Sequence, residues 1–211
     1  MKILGFIPAR YHSTRYPGKP LVPLAGKPLI QHVYERAKLC PDLLDVYVAT
    51  DDERILACVQ GFGGRAVMTR GSYRCGTDRI ANVAVEMGLG DGDLVVNIQG
   101  DQPFFEPSLI SRLLKPLLED TSLPMSTLKY RIRDEREIEN PNHVKVVTDR
   151  EECALYFSRA PIPFFRDAKS GQTYYRHLGF YGFRMGFLAQ FSQLSQGALE
   201  SAARVARDLT R

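Results

Sequence analysis

Three cationic side chains lie within ten residues of one another near the start of the chain: Arg10, Arg15 and Lys19. Gly18 and the hydroxyl of Ser13 belong to the same stretch, which follows a short apolar run. Arginine binds phosphate oxygens in pairs, lysine supplies a point charge, and glycine lets backbone N–H groups approach an anion closely. This composition is typical of a loop that binds the phosphates of a nucleoside triphosphate.

The loop lacks both of the common phosphate-binding motifs. Neither GxxxxGK[ST] of the P-loop nor GxGxxG of dinucleotide-binding proteins occurs in the sequence. Solvated surface charges are the alternative interpretation of Arg15 and Lys19. Composition by itself therefore leaves both interpretations open.

A second candidate site follows the most hydrophobic run of the chain, at residues 93–99. Asp101 comes just after this run, in the string NIQGDQP. Magnesium binds one or two carboxylates and completes its octahedron with phosphate and water oxygens, so this position suits a metal ligand. Aspartate is also a favoured helix N-cap, and a helix is predicted soon afterwards. The string alone leaves these two interpretations open.

Both candidate sites follow segments predicted to be strands of one sheet. Strands are predicted at residues 2–7, 45–50, 65–69 and 93–99. They alternate with helices predicted at residues 28–39, 53–59, 78–87 and 107–118. This alternation predicts an α/β fold with a Rossmann-like, mostly parallel sheet and helices on both faces. Ligands of such sheets bind beyond the carboxyl ends of the strands.

The residue pattern of the sequence changes from about residue 124 onward. Strand-like segments richer in aromatic residues follow, at residues 125–132, 143–149, 153–159 and 175–184. We therefore predict a single domain over residues 1–211 that includes a mixed or antiparallel part at about 124–190.

The bulk properties argue against several classes of protein. The net charge is +4, but no block of like charges occurs, so no nucleic-acid partner is predicted. The four cysteines show no CxxC spacing, which argues against a zinc site and a secreted disulfide framework. No apolar run approaches the roughly 18 residues of a membrane span, and the first run is too short for a signal peptide. We predict a soluble cytoplasmic chain with no membrane partner.

Three strings resemble the signature motifs of one family, the CMP-Kdo synthetases, or 3-deoxy-manno-octulosonate (Kdo) cytidylyltransferases. They are IPARYHSTRYPGKPL at residues 7–21, MTRGSYRCGTDR at 68–79 and NIQGDQP at 97–103. Relatives that activate sialic acids usually have GSKxxPxKN, which is absent here. The resemblance implies a nucleotide-diphospho-sugar transferase-like fold and transfer of the cytidylyl group from CTP to Kdo. It also implies a homodimer in lipopolysaccharide biosynthesis.

The resemblance also implies roles for individual residues. The CTP contacts are expected from Ala9, Arg10, Ser13, Arg15, Lys19, Cys75, Gly76 and Arg79. The expected catalytic set is Arg10, Arg15, Lys19 and Asp101, with Asp101 as the ligand of Mg²⁺. Cys75 stands where the family usually has serine, and a thiol is a poorer hydrogen-bonding group. An exposed helix charge is the alternative interpretation of Arg79.

Two later strings, LYFSRAPIP at residues 155–163 and RHLGFYGFR at 176–184, complete the resemblance. They imply that the part at about 124–190 binds the sugar and forms the dimer. The sugar contacts are expected from Gln99, Arg159, His177 and Tyr181. Without the resemblance, a histidine in an aromatic strand is more often structural. For the neighbouring aromatic residues, a position in the core or in a dimer interface is the alternative to a sugar contact.

The resemblance ends at about residue 200, where the chain reads SAARVARDLTR. The family continues with ExLEQLRxLExG and a terminal VDTPEDL, whose aspartate is its second magnesium ligand. Ala206 and Arg207 stand where the Glu–Gln pair is expected. We predict a weak amphipathic helix over residues 198–209 and hypothesise a truncated or frameshifted copy.

Two alternatives to Kdo activation remain open. The first is a nucleotidyltransferase of the same fold that acts on another acid sugar, such as an amino-substituted Kdo. The second is a non-catalytic remnant that binds CTP, which the missing C-terminal motifs would explain.

Overall fold

The structure, a computed structural model, describes residues 1–12, 16–166 and 173–195. The strands of this described part are β1 (Ile3–Ala9), β2 (Pro23–Leu24), β3 (Lys27–Pro28), β4 (Asp45–Thr50), β5 (Ala66–Met68), β6 (Leu94–Asn97), β7 (Met125–Arg131), β8 (Lys145–Thr148), β9 (Ala154–Ser158) and β10 (Tyr175–Arg184). The α-helices are α1 (Leu29–Lys38), α2 (Glu53–Gly61), α3 (Gly76–Glu86), α4 (Ser108–Glu119) and α5 (Met185–Gln193). Short 3₁₀ turns form at Lys19–Leu21 and Glu135–Glu137.

The described residues belong to two compact units. The large unit contains Met1–Ser126 and Phe180–Gln193, and the small unit contains Thr127–Gly179 with Leu194 and Ser195. Strand β10 contributes residues 175–179 to the small unit and 180–184 to the large one. The division does not test the sequence-based prediction of a single domain over residues 1–211 with a distinct part at about 124–190, which stays a prediction.

The large unit is built on a mostly parallel sheet with the strand order β5-β4-β1-β6-β10. Strand β1 pairs in parallel with both β4 and β6, and β4 pairs in parallel with β5. Residues 181–184 of β10 pair antiparallel with β6. The central strands are nearly continuous apolar runs because parallel strands are covered on both faces. This architecture confirms the predicted α/β class and its mostly parallel sheet.

The helices of the large unit bury one apolar face each. In α1 the buried residues are Ile30, Val33, Tyr34 and Ala37, which recur at helical spacing. Asp52 caps α2, because its carboxylate accepts a hydrogen bond of 3.0 Å from the backbone N–H of Arg54. Helix α3 begins at Gly76, two residues before its predicted start at residue 78.

Two strand pairs of the small unit, β8–β9 and β8–β10, are antiparallel. Strands β8 and β9 form an antiparallel pair in which Val146 lies opposite Phe157. Strand β10 pairs with β8 through Arg176 and Lys145, and β7 also pairs with β10. Val146 and Phe157 form the centre of an apolar cluster in this unit.

Some sequence-based predictions fall outside the described residues. The amphipathic helix predicted at 198–209 does so, and so do Ser13 and Arg15 of the predicted phosphate-binding loop. Among the residues that are described, none of the helices has the length and apolar character needed to cross a membrane.

Candidate active site

The carboxyl ends of four parallel strands lie along one edge of the large unit. The strands β1, β4, β5 and β6 end at Ala9, Thr50, Met68 and Asn97. Just beyond these ends come Arg10, Asp51, Thr69 and the segment 99–101. In sheets of this kind ligands bind at this edge, so the fold brings most of the predicted CTP-binding strings to the expected place.

The predicted phosphate-binding loop leaves β1 at Ala9, and exposed Arg10 follows directly. Its two ends are joined by a hydrogen bond of 2.8 Å from the N–H of Gly18 to the carbonyl oxygen of Tyr11. Gly18 has φ 74°, a left-handed conformation that glycine adopts without strain. The following residue, Lys19, begins a 3₁₀ turn. The loop therefore presents Lys19 from a closed turn.

Lys19 and Asp101 form an ion pair, although 82 residues separate them in sequence. The Nζ atom of Lys19 lies 2.7 Å from Oδ2 of Asp101. The two side chains are 46% and 51% exposed, so both remain accessible to a ligand. An exposed ion pair contributes about 0–1 kcal/mol to stability, so a charged ligand can replace it at small cost. The structure thus brings together two residues of the predicted catalytic set.

Pro8 is the point where three segments of the site meet. A Cβ atom added to Gly76 would lie 2.8 Å from Cγ of Pro8, and one added to Gly100 would lie 3.4 Å from its carbonyl oxygen. Glycine at position 76 therefore allows the start of α3 to pack directly on the end of β1. Cys75 is the N-cap residue of the same helix.

Asn97 links the central sheet to α3 from below the site. Its side chain is buried, and Nδ2 donates a hydrogen bond of 3.1 Å to Oγ1 of Thr77. The Oδ1 atom of Asn97 has no hydrogen-bond partner among the described residues. Leaving such a buried oxygen unpaired costs about 1–3 kcal/mol, so this amide is retained against a stability cost.

Arg79 is buried beneath this edge rather than exposed on it. Its Nη1 donates to Oγ1 of Thr69 at 2.5 Å, and its Nη2 lies 2.6 Å from Oδ2 of Asp51. The guanidinium also lies 5.0 Å from the centre of the Tyr73 ring. These contacts tie α3 to the ends of β4 and β5. The predicted CTP contact of Arg79 stays a prediction, and the observed contacts give it a positioning role.

Gln99 and Tyr181 were both predicted to contact the sugar, and they differ in exposure. Gln99 follows β6, is partly exposed, and accepts a backbone hydrogen bond from Gln102. Tyr181 lies opposite Asn97 on β10, is almost fully buried and stacks on Phe183 with ring centres 6.0 Å apart. Tyr181 is therefore a core residue, and its burial argues against direct sugar contact, which stays untested.

His177 lies in the interior of the small unit. Its Nε2 shares a hydrogen bond of 2.8 Å with Oγ1 of Thr127, and its ring meets Phe157 edge-on. Burial lowers the pKa of His177 from 6.5 to about 4, so the ring is neutral at neutral pH. Like Tyr181, His177 is buried among other side chains, and its predicted sugar contact stays a prediction.

Arg159 is the exposed member of the predicted sugar-binding set in the small unit. Its Nη1 donates a hydrogen bond of 2.7 Å to the carbonyl oxygen of Pro141. Lys145 is fully buried and binds the backbone of Arg159. Its Nζ donates to the carbonyl oxygens of Asn140, His143 and Arg159 at 2.5–3.1 Å. Burial lowers the pKa of Lys145.

Asp101 is the carboxylate of this edge that fits the predicted magnesium ligand. The described residues contain no group of three or more His, Cys, Asp or Glu side chains arranged to hold a metal ion. A single exposed carboxylate fits Mg²⁺ if phosphate and water oxygens supply the remaining ligands. The donor set is thus compatible with a metal that arrives together with a nucleotide.

Comparison with known proteins identifies the family of the chain. The family model described as Cytidylyltransferase matches residues 4–209, which is nearly the whole chain.

The chain belongs to the cytidylyltransferase family.

Two relatives of this cytidylyltransferase are similar over most of its length. One, from Syntrophus aciditrophicus (strain SB), is named 3-deoxy-manno-octulosonate cytidylyltransferase and is 53% identical over 199 residues, covering 94% of this chain and 80% of the relative. The other, from Shewanella halifaxensis (strain HAW-EB4), is named 8-amino-3,8-dideoxy-manno-octulosonate cytidylyltransferase. It is 52% identical over 202 residues, covering 95% of this chain and 82% of the relative.

The fold of the cytidylyltransferase also matches solved structures. A structure of CMP:2-keto-3-deoxy-manno-octonic acid synthetase complexed with CTP superposes with a TM-score of 0.90 at 43% identity, over 97% of this chain and 83% of that one. A 4-diphosphocytidyl-2C-methyl-D-erythritol synthase gives a TM-score of 0.58 at 14% identity, which shows the fold alone. The predicted family and the predicted nucleotidyltransferase class are confirmed.

Sequence reasoning missed Asn97 and Lys145, which hold parts of the two units in place. Asn97 carried a usable signal, because a lone amide at the end of an apolar strand must find a buried partner. Lys145 carried none, because a lysine in a strand-like segment is usually an exposed residue of the solvent face.

Proposed function

We propose that this cytidylyltransferase transfers the cytidylyl group of CTP to Kdo, giving CMP-Kdo and pyrophosphate for lipopolysaccharide biosynthesis. The observation that carries the proposal is the Lys19–Asp101 pair at the carboxyl edge of the sheet, in a chain 53% identical to a protein named for this reaction. A cytoplasmic homodimer is part of the same proposal, by analogy with the family.

The proposed reaction is a direct displacement. The anomeric hydroxyl of the sugar attacks the α-phosphorus of CTP and loses its proton to solvent, a new P–O bond forms, and the bond to the pyrophosphate oxygen breaks. Negative charge then develops on the departing pyrophosphate. In this proposal Lys19 and Arg10, which flank the loop after β1, stabilise that charge together with Arg15.

Asp101 is the residue that we propose holds Mg²⁺. A bound ion supplies charge neutralisation at the α-phosphate and lowers the pKa of the sugar hydroxyl. Oδ2 of Asp101 already accepts a hydrogen bond from Nζ of Lys19 at 2.7 Å, so binding of the ion at that oxygen requires the pair to separate. Lys19 is then available to the phosphates of the nucleotide.

The proposed function is tested by pyrophosphate release from CTP and Kdo in the presence of Mg²⁺. We expect Asp101→Asn to lower kcat by about 10²–10³, because it removes a charge that stabilises the transition state while keeping the size of the side chain. The matched control is Glu35→Gln, since Glu35 pairs with Lys27 at the same 2.7 Å and the two side chains are 47% and 43% exposed. The control should change kcat by less than about twofold.

Two outcomes would contradict the proposal. One is unchanged activity in Asp101→Asn. The other is tight binding of CTP by the folded wild-type chain without release of pyrophosphate, which would support a non-catalytic CTP-binding protein instead.

An 8-amino sugar is the second candidate substrate. The relative from Shewanella halifaxensis is named for that sugar. It is 52% identical to this chain, and the relative named for Kdo is 53% identical. The two sugars differ by a hydroxyl and an amine, which few side chains need to distinguish. A competition assay with both sugars decides between them, and the ratio of their kcat/KM values gives the preference.

A further inference from the structure

Arg54 lies at the start of α2, yet it contacts the phosphate-binding loop. Its guanidinium carbon is 3.3 Å from the centre of the Tyr11 ring, and Tyr11 is the second residue after β1. A guanidinium at this distance lies flat over the ring in van der Waals contact. The negative face of the ring attracts its charge. Arg54 therefore covers one end of the loop.

The position of Arg54 is itself fixed by Asp52. The Nε and Nη2 atoms of Arg54 donate to the two carboxylate oxygens of Asp52 at 2.9 and 2.7 Å. The N–H of Asp52 donates in turn to Oγ1 of Thr50, the last residue of β4. The paired hydrogen bonds set the plane of the guanidinium, so its orientation over Tyr11 derives from the central sheet.

Tyr11 transmits this constraint to the other end of the loop. Its carbonyl oxygen accepts the hydrogen bond from Gly18, and its ring packs against the same glycine. A Cβ atom at position 18 would lie 3.1 Å from Cε2 of Tyr11. Lys19 follows Gly18 and makes the ion pair with Asp101. A continuous series of contacts thus runs from Arg54 through Tyr11 and Gly18 to Lys19.

We propose that Arg54 is a positioning residue for CTP. By covering the ring of Tyr11, it keeps the ends of the phosphate-binding loop together and holds Lys19 where the nucleotide phosphates bind. It acts through Tyr11 and does not touch the substrate. The consequence for CTP rests on the proposed function, whereas the closure of the loop does not.

The first test replaces Arg54 with alanine. We expect kcat/KM for CTP to fall by about two- to fivefold, as loss of an exposed cation–π contact implies, while the KM for Kdo changes by less than about twofold. A merely structural role would not restrict the defect to the constants for CTP.

Arg136 provides the matched control. It makes the same fork to an aspartate two residues earlier, with Nε and Nη2 of Arg136 at 3.0 and 2.7 Å from the oxygens of Asp134. In the described residues no aromatic ring lies beneath its guanidinium. Arg136→Ala removes an equivalent ion pair without the ring contact, and it should leave kcat/KM for CTP unchanged.

Substitution of Tyr11 shows whether Arg54 acts through the ring. Tyr11→Phe keeps the ring face and should bind CTP like the wild type, whereas Tyr11→Leu should reproduce the defect of Arg54→Ala. The double variant with leucine and alanine should be no worse than either single variant, because both remove the same contact. A defect in Arg54→Ala that Tyr11→Leu does not share would overturn the proposal, since it would mean that Arg54 contacts the nucleotide directly.

Hydrogen exchange tests the loop itself without any ligand. Arg54→Ala and Tyr11→Leu should speed the exchange of the Gly18 amide, whose hydrogen bond to Tyr11 closes the loop, and Arg136→Ala should not. Unchanged exchange in Arg54→Ala overturns the proposal. This measurement remains decisive if the wild type fails to bind CTP, an outcome that would count against the proposed function alone.

Discussion

Two ionisable side chains are buried among the described residues of the small unit, Lys145 and His177. Lys145 satisfies all three of its N–H donors with backbone carbonyl oxygens, so its burial is compensated by hydrogen bonds. The His177 ring shares a hydrogen bond with Thr127 and meets the Phe157 ring edge-on. The pKa of both side chains is lowered by desolvation.

His177 makes the stability of the chain depend on pH. Because its pKa falls from 6.5 to about 4 on folding, the unfolded chain binds more protons than the folded chain between these values. The free energy of unfolding therefore rises with pH in this window, and a contribution on the order of 3 kcal/mol is lost as the pH falls through it. His177→Gln, which cannot be protonated, should remove this dependence.

Urea unfolding of the wild type and His177→Gln at about pH 7.5 and about pH 5 measures the effect. The wild type should lose roughly 2 kcal/mol more than the variant between the two conditions. Equal losses would show that the ring is accessible to protons in the folded state.

Among the elements, α3 shows how closely the site depends on a helix boundary. Its first residue, Gly76, packs on the ring of Pro8 at the end of β1. An added methyl group would lie 2.8 Å from Cγ of Pro8, so either the helix or the strand would have to shift. Both carry predicted contacts to the nucleotide.

We expect Gly76→Ala to lower the free energy of unfolding by about 1–3 kcal/mol and also to lower kcat/KM for CTP. Gly61→Ala is the matched control, because a methyl group at Gly61, the last residue of α2, meets nothing within 4 Å. Thermal unfolding and steady-state kinetics measure the two effects. An active, stable Gly76→Ala variant would show that the junction between α3 and β1 is deformable.

Element types were predictable from the sequence because each obeys a strong local pattern. The apolar runs of β1, β4 and β6 are continuous since both faces are covered, and α1 shows helical spacing of its buried residues. The start of α3 was predicted too late because its N-cap is Cys75, a residue type without a capping preference.

The contacts of the site were less predictable. The family resemblance identified Lys19 and Asp101, but no local pattern shows that residues 82 positions apart form an ion pair. The sequence left the burial of Tyr181 and His177 open, because alternate residues of a strand face opposite sides and the string does not say which side is covered. The family resemblance therefore predicted residue roles, whereas only the structure shows how exposed each side chain is.

For the whole molecule, the exposed apolar side chains bear on the proposed homodimer. Leu155 lies on β9, the terminal strand in the strand order of the sheet, and its side chain is 66% exposed. A terminal strand with exposed apolar residues is suited to pairing with another chain. Leu44 of the large unit is equally exposed, at 67%, but lies outside any strand.

We expect Leu155→Glu to shift the protein toward monomer, because the charge would have to be buried in the pairing surface. Leu44→Glu is the control and should leave the mass unchanged. Sedimentation over a range of concentrations distinguishes one chain of 23.8 kDa from two. If both variants sediment like the wild type, β9 is not part of the dimer surface.

The pairing of Lys19 with Asp101 has a consequence for the order in which ligands arrive. In the free protein one oxygen of the carboxylate already accepts a hydrogen bond from an internal ammonium group, so a divalent ion at Asp101, as proposed, would compete with that group or share the carboxylate with it. In the proposed reaction the nucleotide phosphates would attract that ammonium group and leave the carboxylate open. Nucleotide and ion should therefore each tighten the binding of the other by the same factor. On this proposal Lys19 acts as a temporary counter-ion whose departure favours the metal once the nucleotide is bound, by a modest factor because the exposed pair contributes only about 0–1 kcal/mol.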